Sequence, residues 1–572
     1  MVGFVSTFIR HRSATLCGFG MAIVVAAALA SGLTSAHAVS TSATTTSAST
    51  TSATTQPACT PGTTVQTHDG PVCGVAANGI TSYQGIPYAA PPVGALRWDP
   101  PQPAATHTTT FQATALGNAC VSPGFPAGQP PTGSEDCLNL NVSAPTDRGS
   151  SALPVMVELH GGGFLGEALT DDGTNLVNTG PAVYVYIRYR LGILGFLADK
   201  ALGAHSGDYG LQDQQAALRW VKQNIARFGG NPNDVTIFGE SAGGASVCDQ
   251  VASPTAKGLF QQGISVSGFY NFDVNTIWWP ADCKSKLQTE SQAQKVGAEF
   301  AAKVGCGNSA DVAACLRAVP VSTLVEDGGQ FESPTAGGSI GPIVNGTTLP
   351  MSAAKAFKTG HVNKVKLMIG VGRDEFNGGI YTNSPGHTVV ANTTAQYQQL
   401  VRQQFGSLAP TVMRLYPVQR FPSPSPFIAY RTIMADAFSV CPALVSDAQV
   451  SKYIPVYAYE DDDSDSPVAG ETQPLGGYHS AINRLVHDPP ASLDPNQAAL
   501  QSQVLDEWTG FAGTGQPTVP QTPLWTRYGT RGRPVMSLVP AGDSMLTPTS
   551  TIMSQHNCGF WDAVNRTAPW AP

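Results

Sequence analysis

The sequence predicts an α/β protein, on three observations. Short apolar runs alternate with amphipathic helical stretches along most of the chain. One such run ends in a glycine-rich turn that leads at once into a helix of small residues. Hydrophobic residues make up 42% of the 572 positions and charged ones 12%, which fills a large core and excludes wholesale disorder.

The N-terminus stands apart from that pattern. Arg10, His11 and Arg12 precede an uncharged apolar run over residues 14–30, and small residues then lead to Ala36-His37-Ala38. Residues 1–38 therefore read as a secretory signal peptide with an A-x-A cleavage site; stop-transfer charges do not follow, as they would after a spanning helix. Its removal takes away two arginines and no acids, so the formal net charge moves from −8 to −10. With 39 acidic against 31 basic residues, the chain lacks the basic face of a nucleic-acid binder.

Residues 39–58 contain 17 Ser, Thr or Ala out of 20 and cannot bury a core, so they read as a flexible linker. The folded unit is then 59–572, with no second low-complexity break and no repeat. Its ten cysteines, Cys59, Cys73, Cys120, Cys137, Cys248, Cys283, Cys306, Cys315, Cys441 and Cys558, are an even number in an exported chain and read as disulfides. They form no C-x-x-C pattern and the histidines are scattered, so no metal site and no cofactor is expected. The acidic run Asp461-Asp462-Asp463-Ser464-Asp465 lacks the Gly and distal Glu of an EF-hand and reads as a solvated turn after a strand at 453–459.

The first motifs that carry chemistry lie between residues 154 and 250. Residues 154–159 and 182–187 read as buried strands, 210–227 as a helix, and 235–238 as a short strand running into Gly239-Glu240-Ser241-Ala242-Gly243-Gly244. This is G-x-S-x-G at a strand-to-helix turn, which strains the serine backbone and stands its hydroxyl above the sheet at a helix N-terminus. The same pattern recurs at Gly337-Gly338-Ser339-Ile340-Gly341, but no strand precedes it and Pro342 follows. Ser241 is the candidate and Ser339 a decoy. His160-Gly161-Gly162-Gly163-Phe164 directly follows strand 154–159, and consecutive glycines let backbone N–H groups converge on an oxyanion.

In these motifs the sequence resembles the type-B carboxylesterase/lipase family, cholinesterase-like α/β-hydrolases. Further residues carry the resemblance: Tyr83-Gln84-Gly85-Ile86-Pro87-Tyr88-Ala89, Leu96-Arg97-Trp98, Glu135-Asp136-Cys137-Leu138-Asn139, Tyr189-Arg190-Leu191-Gly192, Asp213-Gln214-Gln215 and Cys558-Gly559-Phe560-Trp561. It covers about residues 59–565. The resemblance implies the α/β-hydrolase fold, a large, mostly parallel central sheet flanked by helices in one catalytic domain. It implies a secreted serine carboxylesterase acting on small-molecule esters without metal or cofactor.

The residue roles come from the same resemblance. Ser241 is the nucleophile and His479, in Gly476-Gly477-Tyr478-His479, the base. Glu375 is the acid, with Asp374 its rival because Phe376 stands where the family usually has Gly. The N–H groups of Gly162, Gly163 and Ala242 form the oxyanion hole, and Glu240 is a buried carboxylate close to the site. Ile482 replaces an acidic residue that supports the histidine in the family. His205, His387 and His487 lack the motif and read as surface or structural residues. The resemblance pairs Cys120–Cys137, Cys306–Cys315 and Cys441–Cys558. Among the remaining four, Cys59–Cys73 closes a short loop and Cys248–Cys283 is then left.

Two alternatives share the fold: a lipase or specialised esterase, and a non-catalytic cholinesterase-like binding protein. Retention of all three triad positions favours the enzyme. The cholinesterase segment that offers a Trp to quaternary ammonium is here 121–136, with Phe125 and four prolines but no Trp. Trp278-Trp279 lie elsewhere in the chain. A preference for neutral, short-to-medium acyl esters is expected.

Overall fold

The computed structural model describes residues 57–567 apart from 124–130, 168–172, 270–282, 284–286, 333–339, 378–390, 467–474 and single positions at 148, 150, 465, 521, 530 and 531. Residues 1–38, nearly all of 39–58, Phe125, Trp278, Trp279, Ser339, Asp465 and His387 lie outside the described residues.

Fourteen strands appear in chain order. They are β1 (Val65–Gln66), β2 (Pro71–Cys73), β3 (Val75–Ala77), β4 (Ile80–Pro87), β5 (Phe111–Gln112), β6 (Asn139–Pro145) and β7 (Leu153–Leu159), then β8 (Val183–Ile187), β9 (Gly230–Glu240), β10 (Gln262–Val266), β11 (Lys366–Gly372), β12 (Val456–Asp461), β13 (Pro534–Leu538) and β14 (Met545–Pro548). Eleven of them form one sheet in the order β14-β13-β12-β11-β10-β9-β7-β8-β6-β4-β3, and β1, β2 and β5 form a small one. From β8 through β7, β9, β10, β11 and β12 to β13 every neighbouring pair is parallel, while the pairs at both margins are antiparallel. The sheet is thus mostly parallel and the fold is that of the α/β-hydrolases.

The central strands are apolar because both faces are covered. Met156, Val157, Val183, Tyr184, Ile264, Leu367 and Met368 all have 0% exposure, the signature of a parallel sheet between helical layers. One apolar layer holds Leu211, Leu218 and Val221 of helix Tyr209–Asn224. The other holds Val504, Trp508 and Phe511 of helix Pro495–Thr514. Apolar spacing in the sequence anticipates the first of these helices, and the structure ends it at Asn224 with a 3₁₀ turn over Ile225–Phe228.

Two expectations need correction. The strand ahead of the elbow runs over the 11 residues Gly230–Glu240, longer than 235–238, because β7 pairs along it from Gly230 to Phe238. The acidic run is not a solvated turn: strand β12 extends to Asp461, and Asp461 and Asp463 are 1% and 0% exposed. Strand β12 lies between β11 and β13 inside the sheet, so its C-terminal end is roofed by the loops that follow its neighbours. Asp461 O accepts from Arg373 N at 2.9 Å, and Ser466 Oγ donates to Asp463 Oδ2 at 2.9 Å.

All five cysteine pairs are present: Cys59–Cys73, Cys120–Cys137, Cys248–Cys283, Cys306–Cys315 and Cys441–Cys558, with Cα separations of 5.8, 4.9, 5.5, 5.6 and 5.3 Å. Several residues of the sequence motifs are structural pins. Arg97 grips Glu135 through Nε and Nη2 at 2.6 and 2.7 Å. Arg190 holds the fully buried Asp213 through Nε and Nη2 at 2.8 Å each. Trp98 Nε1 donates to Ile193 O at 2.9 Å.

Candidate active site

Parallel pairing brings the C-terminal ends of β7, β9, β10, β11 and β12 to one edge, where open α/β sheets bind ligands. At the end of β9, Ser241 takes φ 59° and ψ −122°, a strained backbone for a residue with a side chain. The surroundings enforce it. A Cβ on Gly239 or Gly243 would strike Leu159 O, and one on Gly244 would strike Val266 O, so only glycine lets the turn pass between β7 and β10. Ser241 N donates to Val266 O at 3.0 Å, and Ser241 O accepts from Ala245 N at 2.9 Å. Ala242 opens helix Ala242–Ala252, so its N–H belongs to the first turn, which has no carbonyl partner within the helix. The helix dipole adds positive potential at that point.

The glycine loop after β7 runs against this elbow. A Cβ on Gly161 would lie 3.4 Å from Ser241 Cβ and 2.7 Å from Glu240 O. Gly162 and Gly163 have φ of 110° and 64°, conformations glycine enters freely. Their loop is clamped from behind by a sequence motif: Tyr189 OH donates to His160 O at 2.6 Å, the two rings stack at 4.2 Å, and Gly192 N donates to Phe164 O at 2.6 Å. Burial lowers the His160 pKa below its ordinary value, which favours the neutral ring.

His479 is buried at 4% exposure. Its Nδ1 lies 2.5 Å from Oε1 of Glu375, which is 0% exposed. The other oxygen, Glu375 Oε2, accepts from Gly372 N at 2.7 Å and Ser267 Oγ at 3.1 Å, and Glu375 O accepts from His479 N at 3.0 Å. Asp374, the rival acid, instead faces Gly476, where a Cβ would collide with its Oδ2. Phe376 is a buried core ring at 1% exposure.

The second ring nitrogen is also engaged. His479 Nε2 lies 3.0 Å from Glu240 Oε1, which also accepts from Ser480 Oγ at 2.7 Å. Burial pulls the imidazolium pKa down, but Glu240 and then Glu375 outweigh it and push it up to about 10. Glu240 is thus a larger influence on the ring than Glu375.

His205 has an exposed side chain, and His487 is buried 3.4 Å from Glu158, a structural contact. Ile482 packs in the apolar layer with Leu485 and Val486. Sequence reading missed Ser267 and Ser480; the only signals were a serine just after strand β10 and one beside the histidine motif. Among the described residues no group of His, Cys, Asp or Glu could hold a metal.

A mostly parallel sheet between two helical layers, with a strained serine between strand and helix, a glycine loop beside it and a buried His–carboxylate pair at the same edge, is the architecture of the α/β-hydrolase class. Residues 61–561 match the model of the Carboxylesterase family, and the chain belongs to that family as a carboxylic ester hydrolase. It is 32% identical to para-nitrobenzyl esterase of Bacillus subtilis (strain 168) over 83% of this chain and 94% of that one. It is 32% identical to carboxylesterase 1E of Mus musculus over 81% of this chain and 88% of that one. A solved PNB esterase structure superimposes with a TM-score of 0.68 at 29% identity, covering 86% of this chain and 99% of that one.

Proposed function

We propose that the mature protein is a secreted serine carboxylesterase that works through an acyl-enzyme on Ser241. The observation that carries this reading is the His479 Nδ1–Glu375 Oε1 contact of 2.5 Å at the same sheet edge as the strained Ser241. In the proposed mechanism neutral His479 takes the Ser241 proton through Nε2, while Glu375 fixes the tautomer and stabilises the imidazolium. Ser241 Oγ adds to the ester carbonyl, and the N–H groups of Gly162, Gly163 and Ala242 receive the oxyanion. Each such donor is typically worth about 3–4 kcal/mol in the transition state. His479 then protonates the departing alcohol, and water repeats the sequence on the acyl-enzyme.

Export is supported by the leader pattern over residues 1–38 and by the five disulfides, which persist in oxidising compartments. The substrate class is a neutral ester with a short-to-medium acyl chain. The test is turnover of p-nitrophenyl butyrate: Ser241→Ala abolishes it and Ser339→Ala leaves it near wild type. Full activity in the Ser241 variant would remove the nucleophile assignment.

A further inference from the structure

Position 480 carries a side chain where the backbone disfavours one. Ser480 has φ 72°, in the left-handed region that a residue other than glycine enters only under strain. Glycine would make this turn without strain. What serine adds is a hydroxyl, and that hydroxyl reaches Glu240 Oε1 at 2.7 Å, the oxygen that also lies 3.0 Å from His479 Nε2. The other oxygen of Glu240, Oε2, lies beside Gly161, 3.0 Å from where a Cβ on that residue would stand. Ile482, three positions beyond the histidine, brings no polar atom to this corner.

Nε2 is the nitrogen that must accept the Ser241 proton, yet in this arrangement it is turned to the residue before the nucleophile. We propose that Ser480 is a positioning residue acting through Glu240: its hydroxyl occupies part of Oε1, weakens the hold of Glu240 on His479 Nε2, and so eases transfer of that nitrogen to Ser241. The inference rests on the triad reading above and deepens it.

The physical consequence is a bias in where the histidine proton sits. A carboxylate that accepts a hydroxyl hydrogen bond has less negative potential left for an imidazolium. Without the hydroxyl, Glu240 turns wholly to His479 and the imidazolium is harder to discharge. The other groups facing this cluster stay in place. Glu375 holds Nδ1 from the turn after β11, Asp461 at the end of β12 faces Glu375, and Tyr459 on β12 faces both glutamates with its phenol pushed well up by burial. On the helix that Ser480 opens, Arg484 is paired with Asp488 at 2.5 Å.

The experiment is the pH profile of kcat/KM for p-nitrophenyl butyrate in Ser480→Gly, Ser480→Ala, Glu240→Gln and the double variant Ser480→Gly/Glu240→Gln. Ser480→Gly relieves the backbone strain, so its Tm should not fall, yet its acid-limb midpoint should move up by about one unit. That shift lowers kcat/KM about tenfold on the acid side. Ser480→Ala keeps the strain and should show the same shift. In the Glu240→Gln background the Ser480→Gly shift should vanish. An unmoved or lowered midpoint in both serine variants overturns the inference, as does a shift of equal size in the Glu240→Gln background. Dependence of turnover on Ser241, measured in parallel, separates this failure from failure of the triad itself.

Discussion

Glu375→Gln is the substitution for which the structure dictates the most specific outcome. The wild-type carboxylate accepts on both oxygens: Oε1 faces His479 Nδ1 at 2.5 Å, and Oε2 takes Gly372 N at 2.7 Å and Ser267 Oγ at 3.1 Å. A glutamine must turn its NH₂ to one side. Turned toward Gly372, it opposes a backbone N–H that cannot rotate, leaving a buried donor unsatisfied at about 1–3 kcal/mol. Turned toward His479, it meets a ring that can change tautomer, and the displaced proton finds Glu240 Oε1 3.0 Å from Nε2. The second orientation satisfies every group and therefore wins. The resulting histidine carries its proton on Nε2 and cannot accept one from Ser241. The variant should fold with little change in Tm and lose about 10³–10⁴ in kcat/KM, some 4–5.5 kcal/mol of transition-state stabilisation. Asp374→Asn should lose far less, because that side chain faces Gly476. Both are read with p-nitrophenyl butyrate at saturating pH alongside thermal unfolding. A Glu375→Gln enzyme within tenfold of wild type, or the reverse ranking of the two variants, refutes the reasoning.

Three further outcomes can be measured. His479 has a folded pKa of about 10 against an unfolded value near 6.5, so its clamp stabilises the fold fully below about 6.5 and is lost as pH rises toward 10. Activity moves the opposite way, since the base must be neutral, and kcat/KM should climb between about pH 7 and 9; a plateau across that range with chemistry limiting would contradict the clamp. Replacing Cys441 and Cys558 together by alanine opens a link spanning 117 positions, against 14 for Cys59–Cys73. The chain-entropy relation gives about 4.9 against 3 kcal/mol, so denaturant titration should rank the Cys441–Cys558 pair as the costlier loss; an inverted ranking would show that native-state strain or residual structure decides instead. Butyrylcholine should be a poorer substrate than p-nitrophenyl butyrate after correction for leaving-group reactivity, by about thirtyfold for a missing cation–π platform worth roughly 2 kcal/mol. A clear preference for the choline ester would mean that another aromatic supplies the cage.

Much of the site is legible in the sequence because its most demanding parts are local. Gly239, Gly243 and Gly244 flank Ser241 because backbone from β7 and β10 passes where their side chains would be. That constraint writes itself into consecutive positions. Local demands also mark Gly161, where Glu240 O is in the way of a Cβ, Gly162 and Gly163 with their positive φ, and the helix whose apolar residues recur every three or four places. The acidic run after β12 is the opposite case. Composition alone makes Asp461 and Asp463 look solvated, yet both are buried, because the loops that cover a strand end belong to neighbouring strands far away in the chain.

The family resemblance of the segment around His479 points to the candidate base, whereas the elbow, the glycine loop and the alternating pattern from which the sheet is built are written in the residues themselves. Each is a demand that the backbone makes of residues a few positions apart. Tertiary structure alone shows that Glu375 lies against His479 while the adjacent Asp374 faces Gly476, an orientation that sequence cannot give. Only it brought Glu240 and Ser480, separated by 240 positions, onto one oxygen, and His479 onto Glu375 across 104. Which carboxylate holds which nitrogen, and with what shared donor, depends on where separate loops converge above the sheet. Local spacing carries no record of that convergence.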